Sequence, residues 1–356
     1  MKLTRRKYLA LASAGLASGC LGGNGGSSGD TGTTAGTSVK GGKNSGGPPT
    51  EKFDNPSKYG LSRFNGEAVD VLGKDNIPAV DEPKFVSADS VEFLHPNDIV
   101  FGVEIDGESK AYPRKILSHH EIANDTVGGN DVSITYCPLT GTAIGYYRGD
   151  TTFGVSGDLV NSNLIMYDRA TDTFWPQILG AGVNGDLTGR GLEEFRVVWT
   201  TWSEWKEVHP NTEVMSTETG YFRDYENDPY GRYNPKGGYY TSDSLLYGPI
   251  QADDRFPPKK VFMGARNSDG AIAFDKEKLR NEKVMTGKPS SGDTPYSAFY
   301  DAGLDTSWVY RDPDRKYTGS GDPPDDPSDL DLESVNSFDA MWFAWSGFYP
   351  KTTVVT

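Results

Sequence analysis

The stretch IVFGVEIDGESKAY, residues 99–112, decides the fold class of this chain. Residues 99–105 have the apolar, β-branched composition of a strand, Asp106-Gly107 is a hairpin turn signal, and Lys110-Ala111-Tyr112 begins a returning strand. The stretch therefore predicts a β-hairpin, and the sequence on either side is interpreted from it.

The hairpin is followed by a short helix and then by more strands. Pro113 suits the first helical position, and Ile116 and His120 fall on one side of a helix over residues 113–120. A turn at residues 125–129 precedes further predicted strands at 132–136, 142–148, 157–168 and 174–178.

A later segment, residues 261–279, echoes the first. Gly264 and Asp269-Gly270 stand where the first segment has Gly102 and Asp106-Gly107. A separation of about 160 residues is far longer than the period of a solenoid. We therefore expect an α+β fold, predominantly β, with two related β-rich subdomains packed into one globular unit and an internal duplication of about residues 98–180 and 260–350. Two unrelated hairpins with common turn chemistry are the alternative.

Composition limits the classes of function. The 356 residues include 50 acidic and 35 basic side chains, and because wrapping a phosphate backbone requires a basic surface, we expect no nucleic-acid partner. A mean hydropathy of -0.56 excludes several membrane spans. Two cysteines exclude a disulfide-rich scaffold and a Cys₄ zinc site. The net charge of -15 is typical of a salt-adapted, halophilic surface.

The first fifty residues have the pattern of an export signal and a tether. Residues 1–20 have a basic head, an apolar stretch too short to span a bilayer and the pair Arg5-Arg6, which resembles a twin-arginine signal. Small residues lead into Cys20, as in a lipobox, and predict its lipidation. Residues 21–50 are rich in glycine and predict a disordered tether. An ordinary secretory peptide with an incidental cysteine is the alternative.

These signals predict where the chain works. A globular domain at residues 51–356 would be lipid-anchored through Cys20 at the extracellular face of the cytoplasmic membrane. The membrane, reached through the anchor only, is the one partner that the sequence predicts.

Two segments near the C-terminus have contrasting compositions. Residues 312–333 are rich in acids, prolines and glycines and predict a solvated loop, for which calcium binding is the functional alternative. Residues 338–348 include Trp342, Phe343 and Trp345 and predict a core helix.

The scarce histidines and cysteines suggest one site. His119 and His120 are adjacent, and because neighbours on a helix point about 100° apart, one metal ion is not expected to bind both. Cys137 is the thiol that remains after lipidation of Cys20 and falls at a strand end. If His120 and Cys137 meet in one pocket and Glu121 orients the imidazole, the site holds either an activated thiolate or copper, zinc or iron, with His119 as a further candidate ligand.

Two other interpretations stay open. Cys137-Pro138-Leu139-Thr140 is also a monothiol relative of the Cys-x-x-Cys redox motif, although that motif begins a helix in thioredoxin-like folds and a strand is predicted here. Alternatively, Cys137 is a small buried hydrophobe and the histidines are satisfied core groups.

Several motifs in order resemble a known family. Residues 111–125 (AYPRKILSHHEIAND) and 136–143 (YCPLTGTA) are similar to the signature of the domain of unknown function 3179 family. Blocks at 154–177 and 205–230 are similar to its later motifs. The family often has Cys-Pro-Leu-Cys where this chain has Thr140, which argues against a dithiol mechanism here. The resemblance implies no activity.

Polar groups interleaved with apolar ones fill the block at residues 154–177. Asn161, Asn163, Asp168 and Arg169 either bind substrate in a cleft beside Cys137 or serve as turn and strand-end residues. Together with the motifs above, they predict an uncharacterised exported, lipid-anchored protein.

The sequence predicts metal-assisted or thiol redox chemistry at a His/Cys site built from Cys137, His120 and Glu121. The alternative is a non-catalytic solute-binding or surface-interaction lipoprotein. That alternative predicts an aromatic cleft, formed by residues such as Tyr146, Tyr147, Trp175 and Trp202.

Overall fold

The computed structural model describes residues 46–317, 327–328 and 330–356, which form mostly β structure, with 39% strand and 14% helix. The export signal, Cys20 and the tether up to residue 45 lie outside the described residues, as do residues 318–326 and 329 of the acidic loop. Among the helices of the described residues, none has the length and apolar character that crossing a bilayer requires.

The regular elements are short. The α-helices of the described residues are α1 (Leu61–Gly66), α2 (Arg114–His120), α3 (Trp202–Val208), α4 (Lys276–Glu282) and α5 (Trp342–Phe348), and two 3₁₀ helices span Ala88–Ser90 and Gly238–Thr241. The strands are, in chain order, β1 (Thr50–Lys52), β2 (Val69–Asp70), β3 (Val80–Asp81), β4 (Phe85–Ser87), β5 (Ile99–Ile105), β6 (Glu108–Pro113), β7 (Ile122–Val127), β8 (Asn130–Cys137), β9 (Thr142–Tyr147), β10 (Phe153–Val160), β11 (Asn163–Asp168), β12 (Phe174–Pro176), β13 (Arg190–Leu192), β14 (Glu194–Phe195), β15 (Val198–Thr201), β16 (Glu213–Met215), β17 (Val261–Asn267), β18 (Gly270–Asp275), β19 (Val284–Gly287), β20 (Tyr296–Asp301), β21 (Thr306–Arg311), β22 (Glu333–Val335), β23 (Ser337–Met341) and β24 (Thr353–Val355).

The sheets of four or five strands are the blades of a five-bladed β-propeller, and β1 and β13 form a separate ribbon. We number the blades by the position of their hairpins in the chain. Blade 1 is β15-β5-β6-β16-β4, blade 2 is β14-β9-β8-β7-β3, blade 3 is β12-β11-β10-β2, blade 4 is β23-β17-β18-β24 and blade 5 is β19-β20-β21-β22.

The predicted α+β unit of two related β-rich subdomains is wrong, because the sheets form five blades, and strands distant in sequence complete four of them. β15 pairs antiparallel with β5, and β16 pairs parallel with β6. β14 pairs with β9 only after the strands of blade 3 have intervened. Alternation and turn signals predict local hairpins, but they do not specify which distant strand closes a sheet.

Local predictions fare better. The predicted strand at 99–105 is confirmed as β5, and the helix predicted at 113–120 is α2, with Pro113 as its N-cap residue. The helix predicted at 338–348 is wrong in its first part: β23 runs to Met341, where it pairs with β17, and α5 begins at Trp342.

Blades 1 and 4 have the same construction. In each, a hairpin is flanked by one antiparallel and one parallel strand, and a seven-residue helix follows the antiparallel one. The Trp205 ring covers Gly102 and the Trp345 ring covers Gly264, so that a Cβ at either glycine would lie 2.2 or 2.3 Å from the ring. An internal duplication stays a prediction.

The end of β8 lies between two parts of the core. Tyr136 packs in a cluster with Phe101 and Ile134, beside α2. Cys137 belongs to another cluster, which includes Leu164 and Trp345. Because successive strand residues face opposite sides of a sheet, this strand end joins the two clusters.

Candidate functional site

Glu121 ends α2 in a left-handed conformation. Its φ is 60°, its N–H donates to the Leu117 carbonyl, and its carbonyl accepts the N–H of Tyr136 at 2.7 Å. This backbone conformation costs a residue other than glycine about 1–2 kcal/mol. The hydrogen bond to Tyr136 ties Glu121 to the residue that precedes Cys137.

The Glu121 carboxyl is buried without a polar partner. The residue is 6% exposed, and within the described part of the chain its side chain makes neither an ion pair nor a hydrogen bond. Burial raises the pKa of Glu121 to about 8. Glu121 is therefore a neutral carboxylic acid at neutral pH and can donate a proton.

The Cys137 sulfur lies among hydrogen-bond donors. The Leu164 N–H points at Sγ from 3.4 Å, and the Ser162 carbonyl oxygen is 3.6 Å from it. Thr140 donates to the sulfur through its hydroxyl and its backbone N–H. Burial, followed by the charge of Glu121, raises the pKa of the Cys137 thiol to about 11, and the hydrogen bonds from Thr140 and Leu164 oppose this rise. The charge of Glu121 thus acts on the Cys137 thiol, and we call these two residues the thiol–carboxyl unit.

A long irregular segment, residues 216–260, covers this unit, and we call it the strap. It joins β16 to β17 and carries seven of the 19 tyrosines of the chain. Burial raises the pKa of Tyr230, and the charges of Glu121 and Cys137 add to the effect. Tyr230 of the strap is therefore close enough to the thiol and the carboxyl for their charges to act on it.

The strap is hydrogen-bonded to the residues that surround Cys137. The Tyr239 hydroxyl donates to the Leu139 carbonyl at 3.0 Å, and the Ile250 N–H donates to Asn161 Oδ1 at 2.7 Å. These two hydrogen bonds tie the strap to the residues around Cys137.

Two buried cations stabilise the strap, Lys259 of the strap itself and Arg114 of α2. Lys259 Nζ donates to the carbonyls of Tyr239, Ser242 and Ser244 at 2.5–2.9 Å, and burial lowers the pKa of Lys259 to about 8. Arg114 of α2 pairs with Asp228 of the strap at 2.7 Å. The position of the strap is therefore specified by charge-assisted hydrogen bonds as well as by apolar contact.

His120 lies apart from the contacts of the thiol. Its Nδ1 is 2.8 Å from the Pro78 carbonyl oxygen, and its Nε2 is 2.8 Å from the Tyr225 hydroxyl. A carbonyl only accepts, so Nδ1 donates and Nε2 accepts from Tyr225. Burial lowers the pKa of His120 to about 4. His119 packs edge-on against Tyr225, and its Nε2 is buried without a partner among the described residues.

No group of three or more His, Cys, Asp or Glu side chains in the described residues is arranged to hold a metal ion. A metal at His120 would displace Pro78 or Tyr225 from a ring nitrogen. The predicted copper, zinc or iron centre at His120 and Cys137, with His119, stays a prediction.

The predicted substrate-binding residues divide into two groups. Asn161 and Asn163 flank Ser162, the residue whose carbonyl meets the Cys137 sulfur. Asp168, at the other end of β11, lies about 16 Å from Asn163 along the strand. The Asp168 carboxylate accepts hydrogen bonds from the N–H and the hydroxyl of Thr171 and from the indole N–H of Trp175. Arg169, the next residue, pairs with Asp81 at 3.0 Å.

Sequence reasoning missed the strap and treated Thr140 only as a departure from a dithiol motif. The clustering of tyrosines between residues 221 and 247 is a compositional signal that could have drawn attention to this segment. The pairing of Arg114 with Asp228 has no signal in a single sequence, because the two residues are far apart along the chain.

Three of the four aromatic residues of the predicted binding cleft lie in the core, and the fourth, Tyr147, is partly exposed. Tyr146 and Trp175 are 0% exposed, and Trp202 is 7% exposed. An open depression of about 390 Å³ lies elsewhere, between β4 and the start of the strap, with Phe93 and Ser216 among its lining residues. The depression is thus beside the strap and not at the thiol.

Comparison with protein families gives one finding. The sequence model of a family described as a protein of unknown function, DUF3179, matches residues 74–352, a span that includes both the thiol–carboxyl unit and the strap. The resemblance predicted from the motifs is therefore confirmed. No curated protein and no solved structure matches the chain.

Proposed function

We propose that this chain, which belongs to the DUF3179 family, is an exported lipoprotein that carries out thiol chemistry, with Cys137 as nucleophile and Glu121 as proton donor. The observation that carries the proposal is the Glu121 carboxyl: it is buried, lacks a polar partner among the described residues and acts on the pKa of Cys137. Perturbed, strained groups of this kind concentrate at functional sites.

The reaction that suits this pair is exchange with a small disulfide. The Cys137 thiol first gives its proton to solvent hydroxide. The resulting thiolate attacks one sulfur of R–S–S–R, a bond forms between Cys137 Sγ and that sulfur, and the original S–S bond breaks. The leaving thiolate takes the proton of Glu121, and Glu121 regains its proton from solvent after the reaction. The donors from Thr140 and Leu164 stabilise the attacking thiolate. Because Thr140 stands where a second thiol would resolve the product, the mixed disulfide persists until an external thiol attacks it.

His120 has a positioning role in this proposal. Its two hydrogen bonds join the end of α2 to Pro78 and to Tyr225 of the strap. The residue that follows it is Glu121, so the imidazole fixes the helix end from which the carboxyl projects.

Mass spectrometry of the purified chain treated with a small neutral disulfide tests the proposal. We expect a mixed disulfide at Cys137, and none in the Cys137→Ser variant. Glu121→Gln should form the product at least about tenfold more slowly at neutral pH, because it lacks the proton donor. The difference should vanish well above pH 8, where Glu121 has itself lost its proton.

The matched control is Lys283→Gln, at the cap of α4, which should react like the wild type. Equal rates for the wild type and Glu121→Gln at every pH would contradict the role of Glu121. A Cys137 that reacts only after denaturation would contradict the proposed function as a whole.

We propose further that Cys20 carries the lipid anchor and that the domain acts outside the cell. Fatty-acid labelling of the expressed chain should be lost in Cys20→Ala, and the domain should then leave the membrane fraction. Labelling that persists in this variant would contradict the anchor.

A further inference from the structure

Two buried amide side chains join the turn after Cys137, in blade 2, to blade 3. Asn163, the first residue of β11, donates from Nδ2 to the Thr140 hydroxyl at 3.2 Å and to Gln177 Oε1 at 2.9 Å. Asn163, Thr140 and Gln177 are completely buried. Because buried polar groups are paired in nearly all folded proteins, these hydrogen bonds hold the two amides in place.

The backbone fixes the orientation of both amides. The Ile178 N–H can only donate, and it points at Asn163 Oδ1 from 2.9 Å, so Asn163 Nδ2 is the atom that faces Thr140. The Thr142 carbonyl can only accept, and it lies 3.1 Å from Gln177 Nε2, so Gln177 Oε1 faces Asn163. The direction of the hydrogen bonds along this network follows from these two contacts.

This direction leaves the Thr140 hydroxyl hydrogen for the sulfur. The Thr140 oxygen accepts from Asn163, and its own O–H donates to Cys137 Sγ. A hydroxyl has a single hydrogen, and a hydrogen bond accepted by its oxygen strengthens the bond that it donates. The orientation of the Thr140 hydroxyl therefore depends on Asn163.

Another donor to the sulfur is held by the same pair of residues. Leu164 follows Asn163 on β11, and its N–H points at Cys137 Sγ from 3.4 Å. The Leu164 carbonyl accepts the N–H of Gln177 at 2.9 Å. The strand that supplies this donor is therefore bonded to the residue whose side chain holds the Asn163 amide.

A second buried asparagine is paired as fully but lies outside this network. Asn124 of β7 donates from Nδ2 to Asp81 Oδ1 at 2.6 Å and to the Phe153 carbonyl at 2.8 Å. Its Oδ1 accepts the Ser133 hydroxyl and the Phe153 N–H. Asn163 differs from it in holding a donor to the sulfur, so Asn124 is a matched control.

We infer, on the basis of the proposed function, that Asn163 is a positioning residue: its amide orients the Thr140 hydroxyl toward Cys137 Sγ and so stabilises the attacking thiolate. Both hydrogens of Asn163 Nδ2 are engaged, by Thr140 and by Gln177, so this amide has no donor left for a substrate. Asn163 thus acts on the thiol through Thr140.

The rate at which iodoacetamide alkylates Cys137 in the folded full chain, followed by mass spectrometry, tests this role. Thr140→Val and Asn163→Leu should each slow alkylation several-fold at fixed pH, because a smaller fraction of the thiol is ionised. In the double variant, Asn163→Leu should add less than about twofold to the effect of Thr140→Val. Asn124→Leu should leave the rate unchanged. Effects that multiply in the double variant, or an equal slowing in Asn124→Leu, would overturn the inference.

The infrared S–H stretching band of Cys137 requires no reaction and so separates this inference from the proposed function. The band, assigned by its loss in Cys137→Ser, should move to higher frequency in Thr140→Val and in Asn163→Leu, since a sulfur that accepts one hydrogen bond fewer has a less polarised S–H bond.

If Asn163→Leu fails to fold, Asn163→Asp keeps the size of the side chain and the bond from the Ile178 N–H, and presents an oxygen to Thr140. Its S–H band should move in the same direction. A band at the wild-type frequency in the folded variants of Asn163 would overturn the inference. A shifted band in a chain that does not exchange with disulfides would support the orientation by Asn163 and contradict the proposed function alone.

Discussion

The C-terminal ends of α2 and α4, which we call two corners of the molecule, have the same backbone arrangement but different side chains. The helices α2 and α4 each have seven residues and end in left-handed residues, Glu121 with φ 60° and Lys283 with φ 68°. The carbonyls of these residues accept the N–H groups of Tyr136 and Tyr300, at 2.7 and 2.8 Å. In both corners, a left-handed residue therefore ends the helix and accepts a hydrogen bond from a strand tyrosine.

The side chains at the two corners have different surroundings. Lys283 is partly exposed, with its Nζ 4.2 Å from the centre of the Tyr300 ring. Asp301, at the position of Cys137, accepts turn and indole N–H groups. Because a lysine takes the same cap without burial, the fold does not require a buried acid at Glu121. The comparison identifies Glu121 and Cys137 as departures from a shared scaffold, and the predictions below test that distinction.

The largest expected effect is a loss of stability when the tryptophan that covers a glycine is removed from blade 1 or blade 4. Trp205→Ala and Trp345→Ala each remove a buried ring that lies on a glycine and donates to a threonine hydroxyl at 3.0 Å. We expect each to lower the free energy of unfolding by about 3–5 kcal/mol, measured by urea denaturation. A large loss in one variant and none in the other would show that the scaffold is not shared.

The next effect separates the two caps. The folded pKa of Glu121, about 8, lies above its ordinary value of 4.5, so the folded chain keeps a proton that the unfolded chain releases. The contribution of Glu121 to stability is therefore full below pH 4.5 and is lost as the pH rises to 8. Because Gln does not ionise, the free energy of unfolding of Glu121→Gln should rise by about 2–4 kcal/mol relative to that of the wild type as the pH increases over this interval.

Denaturation with urea across this pH interval measures the gain, and Lys283→Gln is the matched control, which should follow the wild type. A wild-type stability that keeps a constant difference from Glu121→Gln would mean that the Glu121 carboxyl ionises normally in the folded chain.

A smaller effect tests the donors around the sulfur. Thr140→Val keeps the shape of the side chain and removes the hydroxyl that opposes the raised pKa of Cys137. The thiol should become less acidic, and its reaction with a neutral disulfide at fixed pH should slow several-fold, by roughly 1 kcal/mol in the barrier. Thr140→Ser restores the hydroxyl and should restore the rate; failure to do so would assign the effect to packing.

The smallest effect concerns the strap, which covers the Cys137 corner. Lys259→Met keeps the length of the stem and removes the donor to three carbonyls of the strap. Alkylation of Cys137 in the folded chain should accelerate a few-fold, because the strap opens more often. Lys52→Met, at an exposed lysine that pairs with Asp54 outside the strap, should leave the rate unchanged. An unchanged rate in Lys259→Met would mean that access to Cys137 does not depend on this segment.

Local chemistry could be predicted from the sequence, and long-range closure could not. The hairpin at Asp106-Gly107 and the short helix that follows depend on neighbouring residues, so a single sequence reveals them. The pairing of β15 with β5 depends on strands that a single sequence does not connect. The propeller was missed for that reason.

The sequence names Glu121, His120 and Cys137 as candidates, and their joint role as a site stays a prediction. Glu121 and Cys137 lie near each other because the Glu121 carbonyl accepts the N–H of Tyr136, the residue before Cys137. His120 is one position earlier on the helix, and that single step directs its ring to Pro78 and Tyr225. The sequence could not indicate that direction, since both partners come from distant segments.

Infrared spectroscopy of chain labelled with carbon-13 glutamate tests the central claim most directly. The carbonyl band of a protonated carboxylic acid should be present at neutral pH, absent in Glu121→Gln, and should titrate with a midpoint near pH 8. A Glu121 band that titrates near the ordinary value of 4.5 would contradict the claim that this carboxyl is the proton donor beside Cys137.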